Sequence, residues 1–348
     1  MARGWTAQRI ATRVVLLLLT GVSLYLLLPS LAAVFGSWHS LFDLEPQWVA
    51  VALGFEALSF VAIWALQRIA LRTPSWFAVG TSQLAANALG RVIPGGMAAA
   101  GALQFRMLVR VGVPPGRVGS ALAATSALLF AGLLALPLFA LPAILAGTPI
   151  EHRLLHSLWL GGVVFVLMLA AGSASFAFDR PLELVGRAID WFLRVIRRPR
   201  AGPPLSLVLI GERDEIRRTL GERIKMAVTA SVGKSLFDYL ALVATLYAVH
   251  ARPDPSLVLL AYVTGSFLGM VPLTPGGLGF VEAGLTGTLV LAGVDAGAAA
   301  AATLAYRLVS FWLPLPVGGL AYWLFGRRLK PVPAPAPAPP EVPPQPLA

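Results

Sequence analysis

The triplet Pro94-Gly95-Gly96 recurs as Pro275-Gly276-Gly277, and its surroundings recur with it. Gly112-Val113 begins 18 residues after Pro94, and Gly293-Val294 begins 18 residues after Pro275. An alanine-rich stretch follows each pair, from about Ser120 and from about Gly297. Proline and paired glycines break a helix. Placed twice, at corresponding points of an otherwise apolar chain, they mark discontinuous helices in a repeat-built transporter.

The composition puts the chain in lipid. Of 348 residues 57% are hydrophobic and 12% charged, whereas a soluble domain is roughly 25% charged. Crossing a bilayer takes about 20 apolar residues, and full spans are predicted at 14–35, 47–67, 118–146, 157–178, 226–250 and 297–325. The run from Val14 to Phe35 is too long for the apolar region of a signal peptide and lacks a small-residue cleavage site, so it reads as a retained helix. Two further apolar regions, 75–111 and 256–294, hold the triplets near their middles. Their legs, about 18–20 residues each, are borderline for spanning. Each region is either two full helices or a hairpin that enters and leaves by one face. The fold expected is an all-α polytopic membrane protein with about six full spans and two oppositely oriented re-entrant hairpins.

Basic residues set the orientation, because short cytoplasmic loops are rich in Lys and Arg. Arg3, Arg9 and Arg13 precede the first span and put the N-terminus inside, while loop 36–46 has Asp43 and Glu45 but no basic residue. Arg68 and Arg72, then Arg106, Arg110 and Arg117, return to the inside. Loops 147–156 and 251–255 carry one arginine each and lie outside; segment 179–225, with eleven Lys or Arg, is the main cytoplasmic loop. Arg327, Arg328 and Lys330 end the last span inside. Residues 47–146 therefore reappear upside down as 226–325, an inverted repeat that can present one central site to either face. Residues 1–330 form one membrane domain. Within 179–225, Arg187, Arg194, Arg197, Arg198 and Arg200 alternate with Trp191, Phe192 and Ile196, which suits an interfacial amphipathic helix or a solvated loop. The Pro- and Ala-rich stretch 331–348 reads as an extended, disordered cytosolic tail.

Chemistry is expected at the helix breaks. The glycines permit a tight turn and close approach of a ligand, and exposed N–H groups at a new helix start receive phosphate or carboxylate oxygens. Pro94, Gly95, Gly96, Pro275, Gly276 and Gly277 are therefore candidate headgroup contacts. Glu282, seven residues beyond Pro275, would lie about 10 Å along a helix from it, inside the membrane. Arg307 lies well inside the last span. Ionisable groups at such depth face a cavity or a partner: either Arg307 meets an anionic headgroup while Glu282 balances charge or carries a proton, or the two form a structural salt bridge. Arg91 belongs to the same site if the first hairpin is re-entrant. Secondary candidates are Asn87, Gln104 and Arg106, the i, i+4 pair Lys234 and Asp238, and Glu56, which matches Asp238 between the two lead helices to within one residue. Plain alternatives for these are interhelical hydrogen bonds for Asn87 and Gln104, positive-inside anchoring for Arg106, and snorkelling of Lys234.

Other classes find no support. The chain has no Cys, no Walker motif and no βαβ context for Gly277-Leu278-Gly279. His152 and His156 have metal spacing without a clear third ligand. No metal, cofactor, catalytic residue or nucleic-acid partner is expected.

The run Pro272-Leu273-Thr274-Pro275-Gly276-Gly277-Leu278-Gly279-Phe280-Val281-Glu282, with Gly293-Val294 and Tyr306-Arg307, resembles the C-terminal signature of the lysylphosphatidylglycerol synthetase transmembrane family. Asn87 through Gly96 resembles its N-terminal half. The resemblance covers about residues 10–325. In bifunctional members this domain is implicated in moving aminoacylated phosphatidylglycerol between leaflets, and a separate cytosolic domain makes that lipid. The resemblance implies a stand-alone, flippase-like member without the synthetase domain, in the bacterial cytoplasmic (inner) membrane with both termini inside. Its partners would be anionic phospholipid headgroups, with a homo-oligomer or a lipid-biosynthetic enzyme as a possible protein partner. Alternatives are a polyprenyl-linked or hopanoid lipid carrier, a small-solute transporter and a non-transporting partner of such an enzyme.

Overall fold

A computed structural model describes residues 44–93, 96–145, 167, 170, 174–175, 177–195, 204–270 and 274–329. The expected spans 14–35 and most of 157–178, the tail, Pro94 and Gly95 lie outside the described residues. The described chain is helical: α1 (Pro46–Leu71), α2 (Trp76–Val92), α3 (Met97–Arg110), α4 (Pro115–Leu145), α5 (Asp179–Val195), α6 (Leu205–Leu220), α7 (Ile224–Ala248), α8 (Pro255–Met270), α9 (Phe280–Leu291), α10 (Ala296–Arg307) and α11 (Pro314–Arg328). No strand occurs among the described residues. A π-helical turn, Leu308–Trp312, joins α10 to α11.

Among the described residues four stretches are long and apolar enough to cross a membrane: Pro46–Leu71, Pro115–Leu133, Ile224–Ala248 and the composite Ala296–Arg328. The protein is an all-α polytopic membrane protein. Hairpin legs are shorter than the sequence suggested: α2 and α3 have 17 and 14 residues, α8 and α9 have 16 and 12. At 1.5 Å per residue they extend about 18 to 26 Å, short of the roughly 30 Å hydrocarbon core. The described helices stop at Val92 and resume at Met97 in the first region, and stop at Met270 and resume at Phe280 in the second.

The two halves end their elements alike. Val113 N donates to Leu108 O and Gly112 N to Val109 O; in the second half Val294 N donates to Leu289 O and Gly293 N to Val290 O. Both glycines are left-handed, with φ of 90° and 88°. These are Schellman caps, in which the residue past the helix turns back and an apolar residue packs behind it. Val113 joins a core with Leu108, and Val294 one with Leu289. This is why Gly-Val recurs at matching distance. The lead helices match too: α1 and α7 close through left-handed Arg72 (φ 51°) and His250 (φ 61°) with the same bond pattern.

Packing repeats the pattern. The broadest helix contact is α1 on α7. Exchanging the halves carries α2–α3 onto α8–α9, α1–α4 onto α7–α10, and α2–α11 onto α8–α4, all of which are packed pairs. One core gathers around Leu66, Val79, Leu108 and Val118, the other around Leu242, Val258, Leu285 and Ala299. Each borrows from the other half: Ala227 of α7 enters the first core, Leu133 and Leu136 of α4 the second.

In the basic segment, α5 and α6 pack side by side. The Asp190 carboxylate accepts from Leu205 N at 2.9 Å, and a β-carbon at Gly186 would collide with the Ser206 backbone. The Arg213 guanidinium sits between Asp179 and Asp214, whose hydrogen bonds hold its pKa above the usual arginine value. Leu184, Val185 and Trp191 remain exposed.

Candidate functional site

A cavity of about 180 Å³ opens where α1, α2, α7, α8, α9 and α10 meet. Helix periodicity selects its lining. Glu56, Ser59, Phe60 and Ile63 follow i, i+3, i+4, i+7 on α1, and Gln83, Asn87 and Arg91 follow i, i+4, i+8 on α2. Tyr262, Gly265, Ser266 and Gly269 repeat the α1 spacing on α8. Lys234 and Asp238 come from α7; Tyr306 and Arg307 end α10, with Ser310 just beyond.

Among the described acids Asp238 is the most heavily bonded. Its Oδ2 accepts from Lys234 Nζ at 2.7 Å and from Tyr262 Oη at 3.0 Å, and its Oδ1 accepts from Tyr306 Oη at 2.8 Å. The predicted Lys234–Asp238 pair forms, so Lys234 does not snorkel away. Three helices, α7, α8 and α10, are tied together at this carboxylate. Glu56, 8% exposed, has no comparable set: its Oε2 is buried without a partner, as is Asn87 Oδ1.

Glu282 and Arg307 also meet. Arg307 Nε donates to Glu282 Oε1 at 2.7 Å, and Gly279 N donates to Glu282 Oε2 at 2.7 Å. Arg307 Nη2 donates to the carbonyl of Gly276 at 3.2 Å. The expectation of Glu282 about 10 Å along a helix is corrected. Gly276, Gly277 and Gly279 have φ of 57°, 72° and 83°, so the chain coils from Pro275 to Gly279 and α9 starts only at Phe280. Glu282 therefore caps the first turn of α9, where a carboxylate complements the helix dipole.

Arg91 reaches furthest across the repeat. In a regular helix the Ser310 carbonyl would accept from residue 314, but Pro314 has no N–H. Arg91 Nη1 donates to it instead, and to the carbonyl of Phe311 at 2.8 Å. The guanidinium carbons of Arg91 and Arg307 stand 5.1 and 4.2 Å from the centroid of the Phe311 ring. Gly276 lies against that ring, and a β-carbon there would overlap it. At Gly277 a β-carbon would come within 2.9 Å of Gly269 Cα. In the first break, a β-carbon on Gly96 would meet the backbone oxygens of Gly90 and Ile93.

Two secondary candidates lie elsewhere. Gln104 Nε2 donates to Gln67 Oε1 at 2.8 Å and binds α3 to α1 away from the cavity. Arg106 is exposed and donates back to Ala102 O within its own helix. Both leave the candidate site, Gln104 because it turns to Gln67 and Arg106 because it faces the exterior. Missed in the sequence were Ser59, Gln83, Tyr262, Ser266, Ser310 and Phe311. The signal available for Gln83 was its place on one stripe with Asn87 and Arg91.

The family description "Lysylphosphatidylglycerol synthase TM region" matches residues 8–318. The chain belongs to this family. Two stretches also resemble proteins described as UPF0104 membrane protein from Methanothermobacter thermautotrophicus. One is 40% identical over 75 residues, 21% of this chain and 22% of that protein. The other is 28% identical over 99 residues, 28% of each. The aligned stretches thus span about a quarter of those curated relatives' length. The matched interval includes α1 through α10 and every cavity residue named above.

Proposed function

We propose that the protein moves an anionic or aminoacylated phospholipid between leaflets, holding the headgroup in this cavity. The carrying observation is that Arg91 and Arg307, supplied by the two halves of the repeat, converge on one ring beside a polar cavity. Arg91 is met there by backbone carbonyls, which orient a guanidinium without cancelling its charge. Cations at such depth serve a pathway or ligand, and guanidinium suits phosphate by its planar set of donors. The volume, about 180 Å³, is below the roughly 300–1,000 Å³ that encloses a drug-sized ligand whole. A headgroup fragment fits; acyl chains stay in the bilayer. Opposed motion of the two repeats would expose the cavity to each side in turn. In this reading the protein sits in the cytoplasmic (inner) membrane with both termini cytoplasmic, and residues 1–330 form one domain.

The test is reconstitution into liposomes with headgroup-labelled phosphatidylglycerol or phosphatidylcholine, following label in the outer leaflet by a membrane-impermeant quencher. Protein-dependent movement of the anionic lipid, lost in Arg91→Ala, supports the reading. No movement of either lipid rejects it.

A further inference from the structure

We propose that Glu56 is the proton-carrying group of this protein, coupling headgroup movement to a proton gradient across the membrane. The proposal rests on the transport reading for the coupling, but not for the proton site itself. It begins with the unequal provision of the three acids at or beside the cavity, of which Glu56 and Asp238 line it. Asp238 has three donors, from Lys234, Tyr262 and Tyr306, and Glu282 has two, from Arg307 and the Gly279 N–H. Glu56 stands within side-chain hydrogen-bonding reach of Asp238, yet its Oε2 is buried with no partner. A buried ionised carboxylate needs hydrogen-bond donors, and two adjacent carboxylates disfavour each other's charge. A proton on Glu56 resolves both conditions: it removes the like charge and supplies a donor between the two acids.

The charged and titratable groups facing Glu56 are Lys234 and Asp238 of α7, Arg91 of α2, Tyr262 of α8, and Tyr306 and Arg307 of α10. Helix α4, which also packs on α1, has Arg117 in its first turn and no other ionisable residue. The charged residues of α6 meet the far end of α1, where Arg72 donates to Arg218 O. Lys234 is the group able to answer a change at Glu56, since it lines the same cavity and sits one turn from Asp238. When Glu56 loses its proton, Lys234 has two carboxylates to serve rather than one. The hold on Asp238 loosens, and with it the tie among α7, α8 and α10.

The chemistry is a proton transfer alone. On the side of higher proton activity a hydronium ion gives its proton to the Glu56 carboxylate, forming an O–H bond and leaving water. On the other side the acid returns the proton to water. No electrons are exchanged.

Infrared difference spectra between acidic and alkaline buffer, on protein in lipid nanodiscs, test the proton site. The wild type should show a titrating carboxylic-acid carbonyl band that disappears in Glu56→Gln and returns, shifted, in Glu56→Asp. Absence of the band in the wild type, or its persistence unchanged in Glu56→Gln, overturns the assignment. In liposomes with labelled phosphatidylglycerol, an imposed pH gradient should change the initial rate severalfold, and a protonophore should abolish that change. Equal rates with and without the gradient overturn the coupling and leave the transport reading standing. A titrating Glu56 band without any lipid movement removes the transport reading and the coupling, but not the proton site.

Discussion

Arg91 and Arg307 share Phe311. Their guanidinium carbons lie 5.1 and 4.2 Å from its ring centroid, although Arg91 comes from the first half of the repeat and Arg307 from the second. An aromatic face attracts a cation by about 0.5–2 kcal/mol, more as water is excluded. Here one ring serves two cations and also packs on Gly276. Phe311→Leu keeps an apolar side chain and removes the π face. It should lower stability by about 1–3 kcal/mol and slow lipid movement, read by thermal unfolding in detergent and by the liposome assay. Unchanged values for both would mean that the ring holds neither arginine.

Gly276 and Gly279 separate two causes of strain. Both have positive φ, 57° and 83°, but a β-carbon at Gly276 would overlap Phe311 whereas at Gly279 it would enter open space. Gly279→Ala should cost only the strain of its positive φ, about 1–3 kcal/mol. Gly276→Ala should cost that plus overpacking of about 1–3 kcal/mol. Denaturation of the two variants in one detergent measures the difference, and equal losses would contradict the packing of Phe311 on the turn.

Charge reversal should not rescue the Glu282–Arg307 pair. Glu282 accepts both from Arg307 and from the Gly279 N–H, and arginine at 282 cannot accept from that N–H. The double variant Glu282→Arg, Arg307→Glu should therefore remain less stable than wild type by about 1.5–3 kcal/mol, the worth of a hydrogen bond to a charged group, and should remain transport-deficient. Full recovery of both would show a purely mutual salt bridge.

Orientation can be read by labelling, because the chain has no Cys of its own. Single cysteines at Pro253 should react with an impermeant maleimide added outside intact cells, and cysteines at Thr73 or Arg223 only after permeabilisation. The opposite pattern would invert the topology.

What could be read from the sequence was local. Lys234 and Asp238 stand one turn apart, and i, i+4 spacing alone predicts their contact. The paired Gly-Val motifs marked the ends of α3 and α9, since a Schellman cap is written within six residues. Arg91 and Phe311 illustrate the rest. They are separated by 220 residues, and nothing in the spacing says that Pro314 frees a carbonyl for Arg91. Glu282 was misplaced because the helix was extrapolated from Pro275, whereas three left-handed glycines delay its start. Gln104 looked like a cavity residue only until Gln67 proved to be its partner.

The π turn at Leu308–Trp312 has a consequence for insertions and deletions. Leu313 N donates to Leu308 O, five positions back, at 2.9 Å, so this stretch carries one residue more than an α-helix would need. Excising that residue would close the stretch as a regular α-helix and leave the register of α11 nearly unchanged, because the π turn takes up its extra residue within one wider turn. The wide turn that presents the Ser310 and Phe311 carbonyls to Arg91 would be lost, while α11 would keep its face toward α2. The length of the chain between Arg307 and Pro314 is therefore a setting of the machine in its own right, independent of which residues occupy it.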